Sequence, residues 1–129
     1  MRIDTQPGVL NKMSEEQLID INILRELVGD DQEVINDILQ EFLASAGKIA
    51  TELNDAYKAT QYDQVCITAH KLKSSARYIG ALRLGKLCEQ IEHCGEKGGD
   101  AQLNELLPRF KAEMAAVESY LAERENITL

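Results

Sequence analysis

Apolar residues recur every three or four positions along most of this chain, a spacing that predicts amphipathic helices and not strands. The longest such stretch predicts a helix over about residues 31–59, which begins after a capping box formed by Asp30 and Glu33. Gly47 lowers the stability of this helix by about 1 kcal/mol relative to alanine. We therefore expect a close contact with another helix there, which would explain a glycine at this position. The apolar stripe of this helix consists of Ile35, Ile38, Leu39, Phe42, Ile49, Leu53 and Ala56.

A short helix is predicted before the long one, over about residues 20–28. Asp20 is its candidate N-cap and Gly29 its end, with Ser14 as a competing start. The preceding residues 1–17 are polar and contain a Pro-Gly pair, which is typical of a flexible leader or a linker remnant.

Glycines divide the second half of the chain into further helices. A third helix is predicted over 62–79 with Gly80 near its end, and a fourth from residue 81 or 82 to just before Gly95.

The last helix is predicted to have Asp100 as its cap, and Pro108 is expected either to kink it or to restart it. Four substantial amphipathic helices with short connections predict an all-α fold, an antiparallel four-helix bundle within residues 18–129. The short N-terminal helix is expected to cover one end of the bundle.

Composition and charge exclude several classes of protein. At 129 residues the chain is expected to form one domain, and its net charge of −8 argues against nucleic-acid binding. Because it lacks both an apolar run of about 18 residues and the apolar core of a signal peptide, we expect no membrane contact. Three cysteines without framework spacing indicate reduced thiols in a cytoplasmic domain, which we expect to be a monomer.

Two of these cysteines lie close to a histidine, which raises the question of a metal site. On a helix, Cys88, His93 and Cys94 point to different sides, and no fourth ligand is evident. The sequence therefore predicts no bound metal.

The third predicted helix has two distinct faces. His70, Lys73, Ser74 and Arg77 follow at spacings of three, four and seven, so they form one surface patch, with the Lys73 ammonium directed to solvent. Such a patch is also typical of an ordinary solvated surface. The opposite, apolar face is expected to pack in the core and consists of Val65, Ala69, Leu72, Ala76 and Ile79.

The residue types of this patch suit phosphoryl transfer. A neutral imidazole nitrogen of His70 can attack an acyl phosphate and form phosphohistidine. The transferring group spreads negative charge over its oxygens, so an ammonium one turn away at Lys73 would stabilise it. Small neighbouring side chains leave room for another protein to close over the histidine.

A longer motif surrounds the patch. Residues 69–92 read AHKLKSSARYIGALRLGKLCEQIE. This string closely resembles the signature of the histidine-containing phosphotransfer (HPt) family, A-H-x-L-K, small residues, G-A, and then L-x-x-x-C-x-x-I/L-E. Upstream, IDINILRELVGDDQEVINDILQEFL resembles the family's short helix, GD turn and long helix. The resemblance covers about residues 20–121.

This resemblance implies roles for individual residues. His70 matches the phosphorylated histidine, which carries the phosphoryl group on its outer ring nitrogen, and Lys73 matches the lysine that contacts that group. Gly80 matches a family glycine, and we expect close helix packing at this position. Glu92 matches a position where several members carry a glutamine that hydrogen-bonds the histidine. Glu92 is either such a hydrogen-bond partner of His70 or an exposed glutamate at the helix end. Ser74 departs from the glycine of many members.

The resemblance implies a phosphorelay intermediate that carries a phosphoryl group between aspartates of response-regulator receiver domains. The chain has no Gly-rich ATP loop, so we expect a carrier and not an enzyme, with no cofactor of its own. The receiver would supply Mg²⁺, and a hybrid sensor kinase is a further candidate partner. Two alternatives stay open, the phosphoacceptor domain of a chemotaxis-type kinase and a helical adaptor bundle without phosphotransfer.

Overall fold

The structure, a computed structural model, describes the backbone of residues 18–128 and the side chains of residues 18–124. The leader predicted for residues 1–17 lies outside this range. Within it the predicted all-α bundle is confirmed, and none of its helices is long and apolar enough to cross a membrane. In chain order the helices are α1 (Ile21–Val28), α2 (Gln32–Lys58), α3 (Tyr62–Tyr78), α4 (Leu82–Glu96) and α5 (Asp100–Thr128).

The first two helices begin at aspartate caps. Asp20 caps α1 as predicted, because its carboxylate accepts a hydrogen bond at 3.2 Å from the N–H group two residues later. Asp31 caps α2 by accepting from the N–H group of Glu33 at 3.0 Å, so the capping box predicted for Asp30 is wrong. Asp30 lies outside the helix, with its carboxylate 3.9 Å from Arg25.

The last two helices depart from their predicted ends. α4 continues through Gly95, which is buried and packs so closely against α3 that a Cβ there would lie only 2.7 Å from the sulfur of Cys66. Asp100 is the first residue of α5 rather than its cap, and it accepts a hydrogen bond from the Tyr62 hydroxyl at 2.5 Å. Pro108 does not restart α5; it lies exposed on one continuous helix held to the core by its buried apolar neighbours.

α3 packs against α2 on one side and α4 on the other, which makes it central to the bundle. The face of α3 predicted to be apolar is fully buried, so the predicted helical phase is confirmed. Since one face of α3 packs in the core, the opposite face must lie at the surface. The buried residues of this face and of the turn after it are Val65, Ala69, Leu72, Ala76 and Ile79.

Gly80 lies in the turn between α3 and α4, where it contacts the backbone of Asp20 just before α1. Its φ angle is 87°, and a Cβ on it would overlap the carbonyl group of Asp20. Asp20 also donates its N–H group to the Gly80 carbonyl at 2.9 Å. The close packing expected at this glycine is therefore an approach of two backbone segments.

We expect Gly80→Ala to lower the free energy of unfolding by at least about 2 kcal/mol, because it adds both a left-handed strain and an overlap with rigid backbone. Urea unfolding measures this. Gly47→Ala is the matched control: a Cβ there meets only a Glu118 oxygen at 3.9 Å, so the close contact expected at Gly47 is absent. That variant should gain about 0.5–1 kcal/mol. Equal stabilities for the two variants would contradict this account of Gly80.

Candidate functional site: a histidine, a carboxylate and a lysine on α3 and α4

His70 lies on the surface face of α3, with 59% of its side chain exposed. Its Nδ1 atom is 3.0 Å from Oε2 of Glu92, which lies 22 residues later on α4. Of the two interpretations of Glu92, the structure therefore supports a partner of the histidine over an unattached helix-end glutamate. The contact exists because α3 and α4 pack along their lengths.

The same carboxylate also binds a lysine. Oε1 of Glu92 accepts a hydrogen bond from Nζ of Lys73 at 2.7 Å, and only 16% of the Lys73 and 19% of the Glu92 side chain are exposed. The bond from Lys73 lowers the pKa of Glu92 below its ordinary value; partial burial opposes this shift, and His70 adds to it. Glu92 is therefore a carboxylate anion that bridges two functional side chains.

Glu92 fixes the tautomer of His70. A carboxylate anion can only accept, so Nδ1 must carry the proton when the imidazole is neutral. The lone pair is then on Nε2, at the opposite side of the ring, and the ring is largely exposed. This arrangement presents a nucleophilic nitrogen to an incoming molecule.

The orientation predicted for Lys73 is wrong. Its ammonium does not point into solvent but across to α4, where it forms a mostly buried ion pair with Glu92. The physical reason is that a partly buried carboxylate needs a compensating charge, and Lys73 is the cation one turn from His70. His70, Glu92 and Lys73 thus form one connected group, here called the site triad.

We expect Lys73→Ala to lower the free energy of unfolding by about 1–2 kcal/mol, since it removes the cation of a mostly buried pair. Lys71→Ala is the control, because Lys71 is exposed on the same helix and its loss should cost no more than about 0.5 kcal/mol. Chemical denaturation of both variants tests this, and indistinguishable values would show that the pair adds nothing to folding.

The other members of the predicted patch lie outside the triad. Ser74 is exposed and borders a groove of about 800 Å³ between α2 and α3, together with Phe42 and Tyr78. Arg77 extends toward α4, with its guanidinium 3.5 Å from Glu89; its side chain lies over Gly85. The patch is therefore divided between a groove on one side and an ion pair on the other.

Two exposed apolar residues next to the site were missed by the sequence analysis. Ile67 is 50% exposed and Tyr78 is 44% exposed. They lie one turn before His70 and one turn after Ser74, so all four follow one stripe along α3. Their spacing from His70 was the available signal in the sequence.

Cys88 is the one buried thiol among the three free cysteines. Burial raises the pKa of Cys88 to about 12, so it is an unreactive thiol. Among the residues that the structure describes, no group of three or more His, Cys, Asp or Glu side chains could hold a metal ion.

Known proteins resemble this chain in sequence and in structure. The chain is 23% identical over 91 residues to the phosphorelay intermediate protein YPD1 of Candida albicans, which covers 68% of this chain and 50% of that protein. It thus spans about half the length of this curated relative. The structure resembles histidine-containing phosphotransfer protein B of Pseudomonas aeruginosa with a TM-score of 0.78 and 20% identity, covering 84% of this chain and 95% of that one. The family model of the Hpt domain matches residues 37–120. The chain belongs to the Hpt domain family.

Proposed function

We propose that this chain is a phosphorelay intermediate that accepts a phosphoryl group on Nε2 of His70 and passes it to another protein. The observation that carries the proposal is the exposed imidazole whose Nδ1 atom is held at 3.0 Å by Glu92. A free, oriented Nε2 lone pair is what nucleophilic attack on phosphorus requires. The names of both relatives describe phosphotransfer or a phosphorelay, which supports the same role.

The donor and acceptor would be aspartates of receiver domains. In the forward step the Nε2 lone pair attacks phosphorus, the bond from phosphorus to the aspartyl oxygen breaks, and the aspartate leaves as a carboxylate. The ring gains positive charge as the new bond forms, and the Glu92 carboxylate facing Nδ1 stabilises it. The return step reverses these bonds.

The receiver would dock on the stripe formed by Ile67, His70, Ser74 and Tyr78 and on the groove beside it. This surface combines exposed apolar side chains with the reactive nitrogen, so a partner that covers it would also exclude water from the transfer. The receiver would supply Mg²⁺ and most of the catalytic groups.

An ATP-dependent kinase, such as a hybrid sensor kinase, would stand upstream, because an Hpt domain is a carrier and not a kinase. The three cysteines are free, which fits the reducing cytoplasm; we propose that the chain acts there as a monomer.

The test is to incubate the chain with a panel of receiver domains phosphorylated on aspartate and to measure acid-labile, base-stable phosphate on the chain. We expect at least one receiver to load it within minutes, and a second, unphosphorylated receiver to remove the label. Failure of every receiver to load the chain would overturn this proposal and leave the two alternatives, the phosphoacceptor domain of a chemotaxis-type kinase and a helical adaptor bundle without phosphotransfer.

A further inference from the structure

We infer that Glu92 makes the phosphohistidine of this chain short-lived, because one carboxylate holds both the Lys73 ammonium and the Nδ1 proton of His70. This inference rests on the proposed function and adds how long the phosphoryl group persists. Its basis is a pair of contacts made by the two carboxylate oxygens of Glu92. Oε1 lies 2.7 Å from Nζ of Lys73, and Oε2 lies 3.0 Å from Nδ1 of His70.

The first effect concerns the availability of Lys73. Its ammonium already lies against an anion in a mostly buried pair, so it neutralises a phosphoryl group on Nε2 less than a free ammonium would. Moving it fully to the phosphoryl group would separate it from the partly buried Glu92 carboxylate, which is unfavourable. A neutral glutamine would hold the lysine less strongly and release it to the phosphoryl oxygens.

The second effect concerns the leaving group. The Glu92 carboxylate keeps the proton on Nδ1 after phosphorylation, so the ring is a cation joined to a phosphoryl dianion. When water attacks phosphorus, the electron pair of the bond from phosphorus to Nε2 returns to the ring. Neutral His70 and dihydrogen phosphate result. The negative charge of Glu92 favours this protonated form, whose ring leaves as neutral imidazole more readily than an unprotonated ring would leave as imidazolate, so this effect also shortens the lifetime.

The experiment loads His70 chemically with phosphoramidate, removes the donor and follows the decay of phosphohistidine by phosphorus NMR. We expect Glu92→Gln to lengthen the half-life about tenfold, equivalent to about 1.4 kcal/mol. Glutamine still accepts from Nδ1 but carries no charge. Glu96→Gln is the matched control, since Glu96 is an exposed glutamate one turn further along α4, and it should leave the half-life unchanged.

A second measurement separates this role from a structural one. Lys73→Ala is introduced into the wild-type and the Glu92→Gln backgrounds, and thermal unfolding is recorded for each variant. We expect Lys73→Ala to shorten the half-life several-fold more in the glutamine background, because only there is the ammonium free to stabilise the phosphoryl group. A change in folding alone would not produce this coupling.

The possible results are distinct. A half-life in Glu92→Gln equal to or shorter than that of wild type, with His70 loaded in both, overturns the inference and leaves the carrier role intact. If wild-type His70 takes up no phosphoryl group from either phosphoramidate or receivers, the proposed function falls, and the inference falls with it.

Discussion

His70→Gln is expected to abolish all acid-labile phosphate on the chain, while His93→Gln keeps the wild-type amount. Glutamine approximates the polarity of the imidazole but has no nitrogen lone pair able to attack phosphorus. His93, although adjacent to Glu92 in sequence, is exposed on α4 and is not a member of the site triad. The measurement is transfer from a phosphorylated receiver to each variant, followed by acid treatment of a parallel sample.

Stability provides the control for this pair. The imidazole of His70 is largely exposed, so His70→Gln should change the free energy of unfolding by no more than about 0.5 kcal/mol. A folded His70→Gln protein that still gains label would show that the phosphoacceptor lies elsewhere. Loss of label only in His93→Gln would move the assignment to α4.

The bundle could be predicted because apolar residues recur with helical periodicity along the sequence. The buried residues of α3 and the exposed position of His70 follow from one phase at about 100° per residue. Helix ends were less predictable where either of two neighbouring residues could be the N-cap. Asp30 and Asp31 both suit a cap, and only the register of α2 decides between them. Gly95 resembles a terminator but is a packing position, which depends on the sulfur of Cys66 in another helix.

The contacts of the site were harder to predict than its residues. The approach of Glu92 to His70 spans 22 residues and two helices, so periodicity within one helix cannot give it; only the family resemblance pointed to this position. The orientation of Lys73 was mispredicted for the same reason. A long side chain on a helix surface turns toward the nearest opposite charge, and that charge lies on α4.

Ser74→Trp is expected to abolish transfer from receivers while leaving the melting temperature close to that of wild type. Ser74 is exposed one turn from His70 and borders the groove between α2 and α3. A receiver must bring its aspartyl phosphate to within about 3–3.5 Å of Nε2, and an indole ring at this position would stand in its path. Ser74→Glu should also abolish transfer, because its charge repels the phosphoryl group and an acidic receiver pocket.

Two variants make the Ser74 result specific. Ser74→Gly should preserve transfer, since it removes bulk where many family members carry glycine. Ser119→Trp, at an exposed serine on α5, introduces the same indole away from α3 and should also preserve transfer. Loading with phosphoramidate distinguishes blocked docking from damaged chemistry: the small donor should still reach His70 in Ser74→Trp. Normal transfer from receivers through Ser74→Trp would place the docking surface on another face, whereas a collapse of stability would mean that the side chain at 74 packs into the bundle.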